Sequence, residues 1–183
     1  MNDYDRRRIS VRFQIDANRI NSSGRLQNMN TLERWRKNKV IRIMMTQPAQ
    51  NEAVHGSSVR ARKAYGYIFT MTKSRPEDIE LLNAIESILF PKGATTQNEK
   101  NDIEIVFNAR KYGCTLVTND GESRRQPGGI LGNRDRLLQL GIEVLTDEEA
   151  VTLIRQRIRE RDSRERERCN ITGQPLPEWV GRD

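Results

Sequence analysis

Residues 101–120 read N-D-I-E-I-V-F-N-A-R-K-Y-G-C-T-L-V-T-N-D. The apolar spacing predicts an amphipathic helix from residue 98, with Asp102 in its first turn and Gly113 as its stop. Thr115 to Thr118 then favour a pleated backbone, and Asn119-Asp120-Gly121 ends that strand as a turn. An acid just past a strand has two meanings. It is an ordinary turn residue, or it lies where ligands bind in open α/β sheets, beyond the carboxyl ends of the strands, and serves metal or phosphate chemistry. The rest of the chain decides between them.

Upstream, V-R-F-Q-I-D (11–16) alternates as a half-buried strand does and also ends on an acid, Asp16. Met29, Leu32 and Trp35 fall at helical spacing, which makes Trp35 a core residue. V-I-R-I-M-M-T (40–46) reads as a second, mostly buried strand. Pro48 suits the first turn of the following helix, which carries Glu52. Another helix follows Gly56, capped by Ser57 or Ser58, and residues 67–71 fit helix and strand equally. Ile79, Leu82, Ile85 and Leu89 mark a helix that stops at Pro91. Downstream lie a long polar loop (121–133), a short helix about 134–140, a last strand at 142–146 and a helix with an acid-rich first turn. This alternation predicts an α/β fold, a central parallel sheet of four to five strands flanked by helices in three layers.

From 155 to 168 the chain mixes both charges, with Ile158 as its only large apolar residue. That composition predicts a solvated helix that projects or frays. The expected organisation is therefore a domain over 1–150, then a charged helix and tail over 151–183, with Trp179 available to anchor the tail or a partner.

With 183 residues, the chain suits one domain of ordinary size. Lys and Arg number 32 against 25 Asp and Glu, and the resulting charge of +7 favours a polyanionic partner. Cys114 and Cys169 form no C-x-x-C motif, and His55 is the only histidine, so zinc sites built from several imidazoles or thiolates are excluded. Cys114 suits a small core residue and His55 a surface one. No apolar run is long enough to span a bilayer, and a cytoplasmic protein is the expectation. Any catalysis rests on carboxylates.

Asp16, Glu52, Asp102 and Asp120 are the candidates. The strand-end acids share one sheet edge, and Glu52 can lean over it from the helix after the second strand. Asp102 is expected at the other edge, because its helix leads into the strand of Asp120, unless the connection is irregular. Carboxylates repel one another, so their reason for meeting would be a hard divalent cation, Mg²⁺ or Mn²⁺. Such ions activate water and clamp phosphodiester oxygens without any histidine.

These residues resemble the PIN-domain nucleases, a family that includes many toxin ribonucleases of toxin–antitoxin pairs. The match lies in I-D-A-N (15–18), in Glu52, and in the acid, helix, Gly, strand and T-x-D pattern of 101–120. The resemblance covers roughly 10–150. It implies a metal-dependent endoribonuclease in which Asp16, Glu52, Asp102 and Asp120 are catalytic metal ligands, supported by Asn18, Thr118 and Asn119. The chain departs from a compact toxin in its length, its 121–133 loop and everything after 150.

RNA is the expected partner. Arg36 and Lys37, then Arg60, Arg62 and Lys63, and above all Arg124 and Arg125 just after Asp120, are the residues that would line its path. Protein partners in this reading are an antitoxin or another protein at the C-terminal helix, or a second copy in a homodimer. The competing reading is a non-catalytic PIN-like module that binds RNA or protein. A phosphoacceptor receiver domain also uses strand-end acids, but no lysine follows a later strand where its chemistry needs one. Glu99 and Glu122 lie near the acids and read as surface charges.

Overall fold

Phe13, Ile15, Ile43, Met45, Leu116 and Val117 are almost wholly inaccessible to solvent, as expected of strands covered on both faces. The computed structural model describes residues 6–55, 57–70, 75–121 and 123–183. In chain order it contains β1 (Arg12–Ile15), a 3₁₀ turn (Ala17–Arg19), α1 (Gln27–Lys37), β2 (Arg42–Thr46), α2 (Gln47–Val54), α3 (Ser58–Ala64) and β3 (Ile68–Thr70). There follow a 3₁₀ turn (Pro76–Asp78), α4 (Ile79–Leu89), α5 (Gln97–Tyr112), β4 (Thr115–Val117), α6 (Gly129–Gly132), α7 (Arg134–Gln139), β5 (Val144–Leu145) and α8 (Asp147–Thr172).

The five strands form one sheet in the order β3-β2-β1-β4-β5. Every pairing is parallel, with Ile15 of β1 in register with Met45 of β2 and Val117 of β4. The expected α/β fold with a helix-flanked parallel sheet is therefore present. Residues 68–70 resolve as a strand paired to β2, while Met71 and Glu122 lie outside the described residues. Met29, Leu32 and Trp35 of α1 are buried as their spacing predicted.

Two expectations about α5 are corrected. Thr96 and Glu99 form a capping box, so the helix starts at Gln97 and Asp102 lies in its second turn. The helix also runs antiparallel to the strands. Near its end the Tyr112 carbonyl accepts a bond from Arg12 at the start of β1, and midway the Ile105 carbonyl accepts one from Gln14. Its beginning thus reaches the carboxyl edge of the sheet without any irregular connection. Gly113, at φ +58°, closes it in the left-handed conformation that glycine adopts without strain.

The expectation of a projecting helix after 155 is also corrected. α8 continues to Thr172, and its Arg161, Asp162, Glu165 and Cys169 are buried. Charges leave water at low cost only when paired. Arg161 bridges Asp162 at 2.7 Å and Asp183 at 3.1 Å, and Glu165 meets Arg6 at 3.0 Å. Trp179 stacks 4.6 Å from the Arg161 guanidinium, so it anchors the tail on the helix. Among the described residues, no helix is long and apolar enough to cross a membrane.

Candidate functional site

The strand order reverses between β1 and β4: β2 and β3 lie on one side of β1, and β4 and β5 on the other. In open parallel sheets, a crevice forms at such a switch point, beyond the carboxyl ends of the two strands. Asp16 follows β1 there, and Thr118, Asn119 and Asp120 follow β4. The Asp16 amide donates to the Val117 carbonyl, continuing the ladder past the strand end.

One hydroxyl ties the two strand ends together. Thr118 Oγ1 donates to Asp16 Oδ2 at 2.9 Å and accepts the Asp120 backbone N–H at 3.0 Å. Asn18 donates to the same Asp16 oxygen at 2.7 Å, and its own oxygen accepts the Asn119 N–H at 3.3 Å. The Asn119 amide is satisfied with its nitrogen toward the Thr118 carbonyl and its oxygen toward Arg19, each at 3.2 Å. Of the three residues expected to support the acids, Thr118 and Asn18 bond Asp16 directly, while Asn119 bonds Asn18, Thr118 and Arg19.

Asp120 is also held from the far side of its loop, where the Ile130 N–H donates to Asp120 Oδ2 at 3.0 Å. Gly129 makes this return possible, since a Cβ there would lie 2.2 Å from the Gly121 carbonyl oxygen. Glu52 reaches the edge from α2 and accepts from Asn101 at 3.0 Å, one residue before Asp102 on α5. Asn101, Arg19 and Gly129 were not singled out from the sequence. Asn and Arg beside acids are too common to stand out, and the return of Gly129 onto residue 121 is a tertiary contact.

The acids act on one another. Burial, then the charges of Asp120, Asp16 and Glu52, push the Asp102 carboxyl up to about 8. Burial also lifts Asp16 to about 6, against the hydrogen bonds from Thr118 and Ala17, with Glu52 and Asp120 adding to the rise. Asp120 is raised by burial and lowered by the Ile130 N–H. The expected quartet therefore shares one electrostatic neighbourhood.

It is not a closed cage: among the described residues, no three His, Cys, Asp or Glu side chains are gathered closely enough to hold a metal ion as they stand. The donor chemistry still fits a hard divalent cation. All four donors are oxygen acids, and their mutual repulsion is the interaction that a cation would reverse.

The basic candidates divide by position. Arg60 donates to the Ala17 carbonyl at 2.7 Å, and Arg125 pairs with Glu99 at 2.8 Å, so both stand near the acids. Arg124, Arg125 and Lys92 line a recess of about 260 Å³. Arg36 is committed to the Gly66 carbonyl and the Tyr67 ring, and Lys63 to Glu33 and the Asn21 carbonyl. Lys37 and Arg62 are exposed. Glu99, expected as a surface charge, is buried in the capping box. His55 is exposed and Cys114 buried, as expected.

No family model matches the chain, and no curated protein does. A solved structure of a PilT N-terminus domain protein from the hyperthermophilic archaeon Sulfolobus solfataricus P2 aligns at 14% identity with a TM-score of 0.45, covering 79% of this chain and 93% of that one. A likeness this distant carries no argument about chemistry.

Proposed function

We propose that the protein is a metal-dependent endoribonuclease of the PIN type, with Asp16, Glu52, Asp102 and Asp120 as its metal ligands. The observation that supports this reading is the electrostatic influence that Asp16, Glu52, Asp102 and Asp120 exert on one another around the switch point between β1 and β4. A bound Mg²⁺ or Mn²⁺ would supply an activated water and charge stabilisation at the cleaved phosphodiester.

The chain's own residues perform the positioning. Thr118 and Asn18 orient Asp16, the Ile130 N–H orients Asp120, and Asn101 orients Glu52. Arg60, Arg124 and Arg125 flank the edge as phosphate partners. The test is cleavage of a mixed RNA substrate with Mn²⁺ or Mg²⁺ and with EDTA, beside Asp120→Asn. Cutting that needs the metal and is lost in the variant is expected; equal metal-dependent cutting by both proteins would refute the assignment.

The open spacing of the carboxyls favours a second reading, a non-catalytic binding module. That reading requires salt-sensitive RNA binding with no cleavage, unaffected by Asp120→Asn.

A further inference from the structure

The amino edge of the sheet, opposite the acids, is built from arginine. Arg12 of β1 and Arg42 of β2 are paired in register and both exposed. A recess of about 320 Å³ lies against them and includes Arg8. A second recess, of about 650 Å³, shares the wall Arg8–Val11 and opens onto Arg157, Arg161, Arg164 and Arg168 of α8. The two recesses share that wall, and together they make up an arginine-lined trough.

Its charges are not all spent within the protein. Arg161 is neutralised by Asp162 and Asp183, and Glu165 serves Arg6 and Arg168 together. Arg157 meets Glu160 at 3.2 Å. Arg8, Arg12 and Arg42 have no carboxylate partner among the described residues; Arg12 bonds the Tyr112 carbonyl, while Arg164 bonds the Glu160 carbonyl and its charge helps hold the Glu160 carboxyl down. The trough's lining therefore includes three guanidinium groups with no carboxylate partner among the described residues, together with Ile9 and Val11.

We propose that this trough binds the phosphodiester backbone of a nucleic-acid strand. Guanidinium forks match phosphate oxygens in pairs, and an extended row suits a polymer of phosphates better than a single anion. An acidic protein segment would meet the same charge, but arginine in place of lysine favours the phosphate chain. The proposal does not depend on the nuclease reading, because binding is measured without metal.

The experiment is fluorescence anisotropy of labelled single-stranded RNA and DNA of one sequence, in EDTA, across a salt series. Wild type is compared with Arg8→Gln/Arg42→Gln/Arg164→Gln and with a control, Arg25→Gln/Arg34→Gln/Arg75→Gln, whose exposed arginines lie outside the trough. The trough variant is expected to bind at least about tenfold more weakly at 0.1 M salt, with the log K against log salt slope flatter by about 2. Loss for RNA, DNA or both supports the site and names its source. Unchanged affinity and slope for both strands, equal loss in the control, or stronger competition by polyglutamate than by unlabelled strand would overturn it. Cleavage by Asp120→Asn does not enter this readout, so the two proposals fail separately.

Discussion

Asp102 illustrates at the scale of one residue what clustering acids costs a protein. Its carboxyl rises from 3.8 to about 8 on folding. For an acid with a raised folded value, the unfolded chain loses its proton first, so folding is opposed increasingly as pH climbs between those two values. Below both values the residue has no effect. Asp102→Asn should therefore stabilise the metal-free protein by about 1–3 kcal/mol at pH 8, and the gain should vanish by pH 3.5. Thermal unfolding at the two pH values checks this; an equal gain at both would show that ionisation of a buried carboxyl among other acids is not the cause. Asp16, raised from 3.8 to about 6, adds to the same loss over the lower part of the window. Thr118 shows the opposite economy, one buried hydroxyl fixing both Asp16 and the Asp120 backbone.

The elements show which signals are local. The T-x-D stretch, Gly113 and the alternation of strands with helices were legible because each depends on neighbours in sequence. The start of α5 lay in Thr96-x-x-Glu99, a local signal that apolar spacing alone does not register. Its direction was a matter of topology: a helix leading into a parallel strand begins at the carboxyl edge, which is why Asp102 meets Asp120. The loop after β4 was legible only as polar and glycine-rich. Its return onto Asp120 depends on Gly129, at φ +58° and tight against Gly121. Gly129→Ala should displace that turn, costing about 1–3 kcal/mol and most of any metal-dependent cutting. Urea unfolding together with RNA cleavage measures both; a variant of wild-type stability and activity would show that the close approach is not needed.

Across the whole molecule, the two sheet edges carry opposite chemistry, acids at the carboxyl end and arginines at the amino end. At the first edge Asp16, Asp120 and Glu52 were legible from the residues, whereas Asp102 was expected at the opposite edge and joined them only through the family resemblance; the second edge was hidden by composition. A stretch rich in Arg and Glu reads as solvated because hydrophobic patterning detects only apolar burial, and besides the adjacent Asp162 the second carboxylate on Arg161, Asp183, is a tertiary contact. Arg161→Ala would leave Asp162 buried without its cation and Asp183 with Arg7 alone. The expected loss is about 3–5 kcal/mol, read by denaturant unfolding. A loss under about 0.5 kcal/mol would place these groups in the class of exposed ion pairs.

The most direct test of the central claim, that Asp16, Glu52, Asp102 and Asp120 form one metal centre, is a Mn²⁺ titration followed by electron paramagnetic resonance, on wild type and on Asp102→Asn and Asp120→Asn. Saturable binding to wild type that falls sharply in both variants is expected. Mn²⁺ binding of equal strength in all three proteins, or none in wild type, would contradict it.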